Sequence, residues 1–171
     1  MPHAYKVIVT GPFSAGKTRF VKTISEIEVV STERRITQRD KGVKAQTTVA
    51  MDYGRLTLDD KVLHLHGTPG QARFDFMWEI LSAEMAGLVL VVDSTDPDSF
   101  PEARELLDSF LKGRRKTPYI VAANKQDVDG ATTHTKIHRA LDLPREVLTL
   151  PCVASRKTSV KQVLAQLAEL L

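Results

Sequence analysis

At 171 residues, 42% apolar and 26% charged, the chain has the size and composition of one ordinary globular domain. Its 24 basic and 21 acidic side chains leave a net charge of +3, spread along the chain rather than massed, which is too mild to demand a nucleic-acid partner. Cys152 is the single cysteine, which excludes an internal disulfide and a cysteine-rich zinc site.

Short apolar runs alternate with longer amphipathic ones. Tyr5 to Thr10 is β-branched and stops at Gly11-Pro12, which predicts a strand. Lys17 to about Glu26 predicts a helix, with Phe20, Val21 and Ile24 on one face. Ser31 through Gln46 is polar, carries Arg34, Arg35, Arg39, Lys41 and Lys44, and reads as a loop. Its basic residues read as a solvated face or as a contact for an acidic regulator. Thr47 to Leu58 and Lys61 to His66 predict two strands joined by a tight turn at Asp59-Asp60.

Phe74, Met77, Trp78, Leu81 and Met85 fall at helical spacing and predict a helix over 74–85, with Trp78 in its core. Gly87 to Asp93 is a continuous apolar run, the pattern of a strand buried on both faces. Pro101 sits at the head of a helix through Ala103, Leu106, Leu107, Phe110 and Leu111. Tyr119 to Ala123 predicts a strand, His134 to Leu141 a short helix, and Val147 to Cys152 a last strand. Val160, Val163, Leu164, Leu167 and Leu170 mark a closing helix. This alternation implies a mostly parallel six-stranded sheet with one antiparallel strand and helices on both faces. In such sheets ligands bind beyond the carboxyl ends of the strands, so the loops there carry the chemistry.

The first such loop is Gly11-Pro12-Phe13-Ser14-Ala15-Gly16-Lys17-Thr18, which fits G-x-x-x-x-G-K-[ST] between a strand and a helix. In that pattern backbone N–H groups and a helix N-terminus surround phosphates. Gly16 permits close approach, Lys17 reaches the β and γ phosphates, and the Thr18 hydroxyl ligates Mg²⁺. The bland reading of the same residues is a glycine-containing turn. The loop Asn124-Lys125-Gln126-Asp127 supplies the base. The Asp127 carboxylate matches the N1–H and N2 amino donors of guanine, a pair that adenine lacks. Asn124 would hold the loop, and the Lys125 stem would lie over the ring.

Three weaker loops complete the set. In Thr68-Pro69-Gly70-Gln71, Gly70 offers an N–H to a γ-phosphate and Gln71 orients the attacking water. In Thr47-Thr48 a hydroxyl completes a metal shell when the γ-phosphate is present. In Cys152-Val153-Ala154-Ser155, the Ala154 N–H bonds guanine O6, with Ser155 beside it. Taken singly, these are as well explained by β-propensity and turn chemistry.

Together the five loops resemble the Ras-like small GTPases over nearly the whole chain. Their spacing is similar to Arf-like proteins and to bacterial small GTPases related to the gliding-motility polarity switch. The resemblance implies a P-loop G domain over residues 1–171 that binds GTP and GDP with Mg²⁺. It implies slow hydrolysis of GTP and cycling between two conformations read by regulators and effectors, in the bacterial group of roadblock type. By position it implies Lys17, Thr48 and Gln71 as catalytic, with Thr18 and Thr48 on the metal. Phe13, Ser14, Ala15, Gly16, Lys17, Thr18 and Gly70 would line the phosphates, and Asn124, Lys125, Asp127, Ala154 and Ser155 the base.

Two positions depart from the family pattern. Gly67 stands where most Ras-like proteins have an Asp that holds a Mg²⁺-bound water, and Asp93 on the neighbouring strand offers partial substitution or, more simply, caps the turn Ser94-Thr95-Asp96-Pro97. Phe13 stands where Ras has Gly, facing the γ-phosphate, and would either hinder a partner's arginine or pack over the nucleotide edge. Both departures favour an alternative: a scaffold that binds guanine nucleotide and barely hydrolyses it. An ATP-dependent kinase or ATPase is a third reading. His64 and His66 alternate on one strand, but no third ligand stands at useful spacing for a metal site.

The apolar run Leu88 to Val92 is far below the ~20 residues that span a bilayer. Met1 to Lys6 lacks a signal-peptide pattern, Pro2 is not a myristoylation site, and the ending Ala168-Glu169-Leu170-Leu171 offers no prenylatable cysteine. A cytoplasmic domain without a direct membrane anchor is the expectation.

Overall fold

The computed structural model describes residues 2–40, 43–68 and 81–171, with the side chains of 31–50 outside that description. The strands are β1 (His3–Thr10), β2 (Val30–Asp40), β3 (Val43–Leu58), β4 (Lys61–Gly67), β5 (Gly87–Asp93), β6 (Tyr119–Asn124) and β7 (Thr149–Pro151). Among the described residues the α-helices are α1 (Lys17–Ile24), α2 (Phe100–Leu111), α3 (His134–Ala140) and α4 (Lys157–Ala168).

The strands form one sheet in the order β2-β3-β4-β1-β5-β6-β7. β1 pairs in parallel with β4 and β5, and β6 in parallel with β5 and β7. β3 runs antiparallel to both of its neighbours, so it is the one reversed strand. The expected mostly parallel sheet with one antiparallel strand is therefore present, and it carries a further strand, β2, inside the segment read as a loop. β2 pairs with β3 alone, from Val30 opposite Tyr53 to Asp40 opposite Val43. A strand at the sheet edge needs backbone partners on one side only and no apolar alternation, which is why its polar sequence hid it. At the other edge β7 is three residues long and ends at Pro151, which has no N–H to extend the ladder.

All seven residues of β5 are buried, because alternate side chains enter two separate cores. Leu88, Leu90 and Val92 pack with Ile8 of β1, with Ala103, Leu106, Leu107 and Phe110 of α2, and with Ile137 of α3. Val89 and Val91 pack on the opposite face with Val7 and Val9, under Phe20, Val21 and Ile24 of α1 and Val160, Val163, Leu164 and Leu167 of α4. This is the three-layer arrangement implied by the alternation, and it aims the ends of β1, β5 and β6 at one rim. The helix expected over 74–85 falls for the most part on residues outside the description, as do Phe74, Met77 and Trp78. No described helix is long and apolar enough to cross a membrane.

Candidate nucleotide site

The loop between β1 and α1 is fixed by close backbone approach. Gly11 has φ +156°, and a Cβ there would lie 2.1 Å from the Val91 carbonyl oxygen of β5. Gly16 has φ +109° and faces Asn124, whose Nδ2 would be 2.3 Å from an added Cβ. No residue with a side chain fits either place. Gly11→Ala is expected to cost about 2–4 kcal/mol, from overpacking and backbone strain, and to lower Tm by roughly 5–15 °C in a thermal melt.

Helix α1 starts at Gly16 with no side-chain cap and no acidic residue in its first turn. Its first N–H groups and the positive end of its dipole therefore face the loop without a carboxylate of their own, an arrangement suited to an anion. Lys17 lies beneath this loop, only 8% exposed, and its Nζ donates to the carbonyls of Gly11 and Pro12, the latter at 3.0 Å. Burial pushes its pKa down to about 8, against the opposing pull of Glu102 and Asp52.

The loop after β6 is tied to the first loop. Asn124 is buried; its Nδ2 donates to Ala15 O at 2.9 Å, while its Oδ1 accepts from Ala154 N at 2.8 Å. One amide thus holds together the β1, β6 and β7 loops. Lys125 adopts φ 65° and donates from Nζ to Ser14 O at 3.0 Å and to Asp93 Oδ2 at 2.7 Å. The Asp93 Oδ1 accepts from Thr95 N and Thr95 Oγ1 at 2.9 and 2.6 Å. Burial opposes ionisation of Asp93, but the hydrogen bonds from Lys125 and Thr95 outweigh it and hold the carboxyl below its ordinary range. Asp93 therefore caps its own turn and anchors Lys125, and its contacts do not include Thr18. Asp127 and Ser155 are exposed on the same rim. Ala154 is buried, and its N–H is already engaged by Asn124 rather than held out toward a base oxygen.

Thr18 is exposed at the start of α1, and its Oγ1 donates to Asp52 Oδ2 at 2.7 Å. Asp52 belongs to β3, and the reading of the sequence loops missed it. A hydroxyl and a carboxylate are the hard oxygen donors that Mg²⁺ takes, so the residues present fit that ion. Thr48 lies on β3 opposite Arg35, with its side chain outside the description. Gly70 and Gln71 also lie outside the described residues. Thr68 is buried and joins the site from β4, donating from N to Val9 O at 2.9 Å and from Oγ1 to Thr10 Oγ1 at 2.8 Å.

Phe13 is 68% exposed, its ring standing out from the loop. His64 is occupied by the Tyr53 hydroxyl, 2.6 Å from its Nδ1, and among the described residues no group of three or more His, Cys, Asp or Glu is placed to hold a metal. Cys152 is buried, and burial pushes its thiol up to about 11, so it stays protonated at neutral pH.

Residues 27–171 match the family described as conserved hypothetical ATP binding protein. An uncharacterised protein of Methanocaldococcus jannaschii is 35% identical over 128 residues, which is 75% of this chain and 74% of that protein. ADP-ribosylation factor-related protein 1 of Rattus norvegicus is 27% identical over 169 residues, 92% of this chain and 80% of that protein. In fold, the Arl6 BBS3 small GTPase from Trypanosoma brucei, solved with the nucleotide analogue GppNp, matches with a TM-score of 0.72 at 18% identity, over 97% of this chain and 96% of that one. The chain belongs to the family of conserved hypothetical ATP-binding proteins, and it has Arf-like small GTPases among its relatives.

Proposed function

We propose that the protein is a guanine-nucleotide switch that binds GTP and Mg²⁺ and hydrolyses GTP slowly. The observation that carries this reading is the Asn124 staple. It joins a phosphate-type loop, with its uncapped helix and buried Lys17, to a loop that presents the exposed carboxylate of Asp127. Phosphates would take the α1 N–H groups, and Lys17 Nζ would move from the Gly11 and Pro12 carbonyls to the β and γ oxygens. Thr18 would hold Mg²⁺, which spreads the charge of the phosphates when bound. Asp127 would accept from guanine N1–H and N2. Ala154 would reach O6 only by sharing or releasing its bond to Asn124, leaving the adjacent Ser155 N–H as the simpler donor.

By the same reading Thr48 and Gly70 would hold the γ-phosphate, and Gln71 would orient water. Loss of the γ-phosphate would release both segments, the change that regulators and effectors read. From the Thr68-Pro69-Gly70-Gln71 form of the loop we further propose membership of the bacterial polarity group with roadblock-type partners, and one G domain over residues 1–171 working in the cytoplasm. A non-hydrolysing scaffold is the second reading, favoured by the two departures at Gly67 and Phe13, since the exposed Phe13 ring would hinder an arginine supplied by a partner. Single-turnover hydrolysis of bound GTP with Mg²⁺ separates the two. Phosphate release over hours supports the switch, and none with any tested regulator leaves the scaffold.

The low pKa of Lys17 gives a signed pH dependence. A bound phosphate favours the ammonium form, so binding takes up a proton wherever the free protein has lost it. GDP affinity is expected to be level below pH 8 and to fall above it, approaching tenfold per pH unit. Lys17→Arg, which stays charged, is expected to bind more weakly but with a flat profile from pH 7 to 9. Titration calorimetry in buffers of different ionisation enthalpy reads the proton directly.

A further inference from the structure

The even spread of charge along the chain has one exception. The net charge is +3, and Lys112, Arg114, Arg115 and Lys116 alone contribute four positive charges, so the remainder of the chain is acidic by one. These residues form the loop from α2 to β6, which is folded by two successive turns: Arg114 N donates to Leu111 O at 2.8 Å, and Thr117 N to Arg114 O at 3.1 Å. Gly113 makes the bend at φ +74°, with no atom within 4 Å of an added Cβ. A helix C-terminus favours basic neighbours, which accounts for Arg114, whose Nη1 donates to Lys112 O at 3.4 Å. It does not account for Arg115 and Lys116. Both are exposed and, among the described residues, their side chains have neither a hydrogen bond nor a carboxylate partner.

Beside this loop lies a shallow groove of about 620 Å³. Ala86, Gly113 and Pro118 give it an apolar lining, and Arg114, Arg115 and Lys116 give it charge. It opens at the amino ends of β5 and β6, where Leu88 N donates to Pro118 O at 3.1 Å. The nucleotide rim is at the carboxyl ends, ~20 Å away along the six residues of β6. We propose that this groove binds an acidic segment of a partner protein, with apolar side chains on the lining and carboxylates on the basic rim. Guanidinium groups take carboxylates in paired hydrogen bonds, which suits Arg114 and Arg115 to that occupant. A flat anionic bilayer would meet the exposed charges but would not fill a concave apolar lining. Nucleic acid would find no aromatic ring in the loop on which to stack a base. The groove shares no residue with the nucleotide loops, so its occupancy does not depend on the nucleotide reading.

The probe is a fluorescein-labelled synthetic peptide that alternates glutamate pairs with leucine, titrated with the full chain and read by fluorescence anisotropy. Saturable binding is expected, weakening as salt rises. Arg114→Glu combined with Arg115→Glu and Lys116→Glu is expected to weaken it by about 10–100-fold, the effect of reversing several charge pairs at the rim of a contact. Arg115→Glu alone, at an exposed side chain, is expected to weaken it by about 3–10-fold and replaces the triple variant if that one melts early. Lys136→Glu combined with Arg145→Glu and Lys161→Glu makes the same change of net charge at exposed sites outside the groove. That control is expected to keep the affinity within about threefold of wild type. Equal weakening by the two sets would mean attraction to overall charge and would overturn the proposal, as would no binding by the wild type. So would tighter binding to phosphatidylserine vesicles or to a DNA duplex, lost with the groove substitutions, which would assign the loop to a lipid surface or to nucleic acid.

Discussion

Lys17→Met is expected to weaken GTP and GDP binding by roughly 100-fold or more. Charge-assisted hydrogen bonds contribute about 1.5–3 kcal/mol each, and Lys17 is placed to make two or more with phosphate oxygens. Stability is expected to change far less. Met removes the Nζ bonds to the Gly11 and Pro12 carbonyls, but it also removes a charge that burial disfavours, as the pKa of about 8 shows. Fluorescence titration with mant-GDP, paired with a thermal melt, separates the two effects. Loss of binding in parallel with collapse of Tm would instead make Lys17 a strut of the loop.

The second large effect is a change of base. Asp127→Asn replaces two acceptor oxygens with one acceptor and one amide donor. The donor then faces guanine N2–H₂, donor against donor, and the loss is expected to reach about 100-fold in GDP affinity. Xanthine carries an oxygen where guanine has its amino group, so the same variant is expected to gain XDP binding. Competition of GDP and XDP for one labelled nucleotide reads both directions at once. Unchanged selectivity would remove Asp127 from the base site.

The parts of the site legible in the sequence are those confined to one stretch of chain. Gly11 to Thr18 is contiguous, and the strand before it and the helix after it were both readable from periodicity. Asn124 to Asp127 follows an apolar strand in the same way. The two-core sheet was legible because β5, buried on both faces, must be apolar throughout. β2 was not, since an edge strand carries no core pattern.

Asp52 lay hidden for another reason: its contact is cross-strand, and residue spacing shows nothing of it. One signal was nonetheless available. The two-residue turn at Asp59-Asp60 pairs Leu58 with Lys61, and counting back along both strands brings Asp52 opposite Gly67. The hairpin register thus placed a carboxylate opposite Gly67. Asp93, the substitute suggested by sequence, was already committed to Thr95 and Lys125. The double duty of Asn124, binding Ala15 and Ala154 with its two amide ends, likewise needed three loops in space.

The chain belongs to a family named for ATP binding and has Arf-like relatives, so the identity of the base is the central claim. Displacement of bound mant-GDP by unlabelled GDP and by ADP, at fixed Mg²⁺, tests it most directly. Displacement is expected by GDP near stoichiometric concentration and by ADP only at about a thousandfold excess or beyond, the discrimination of a site built on paired hydrogen bonds. Equal displacement by the two, or a preference for ADP, would contradict it.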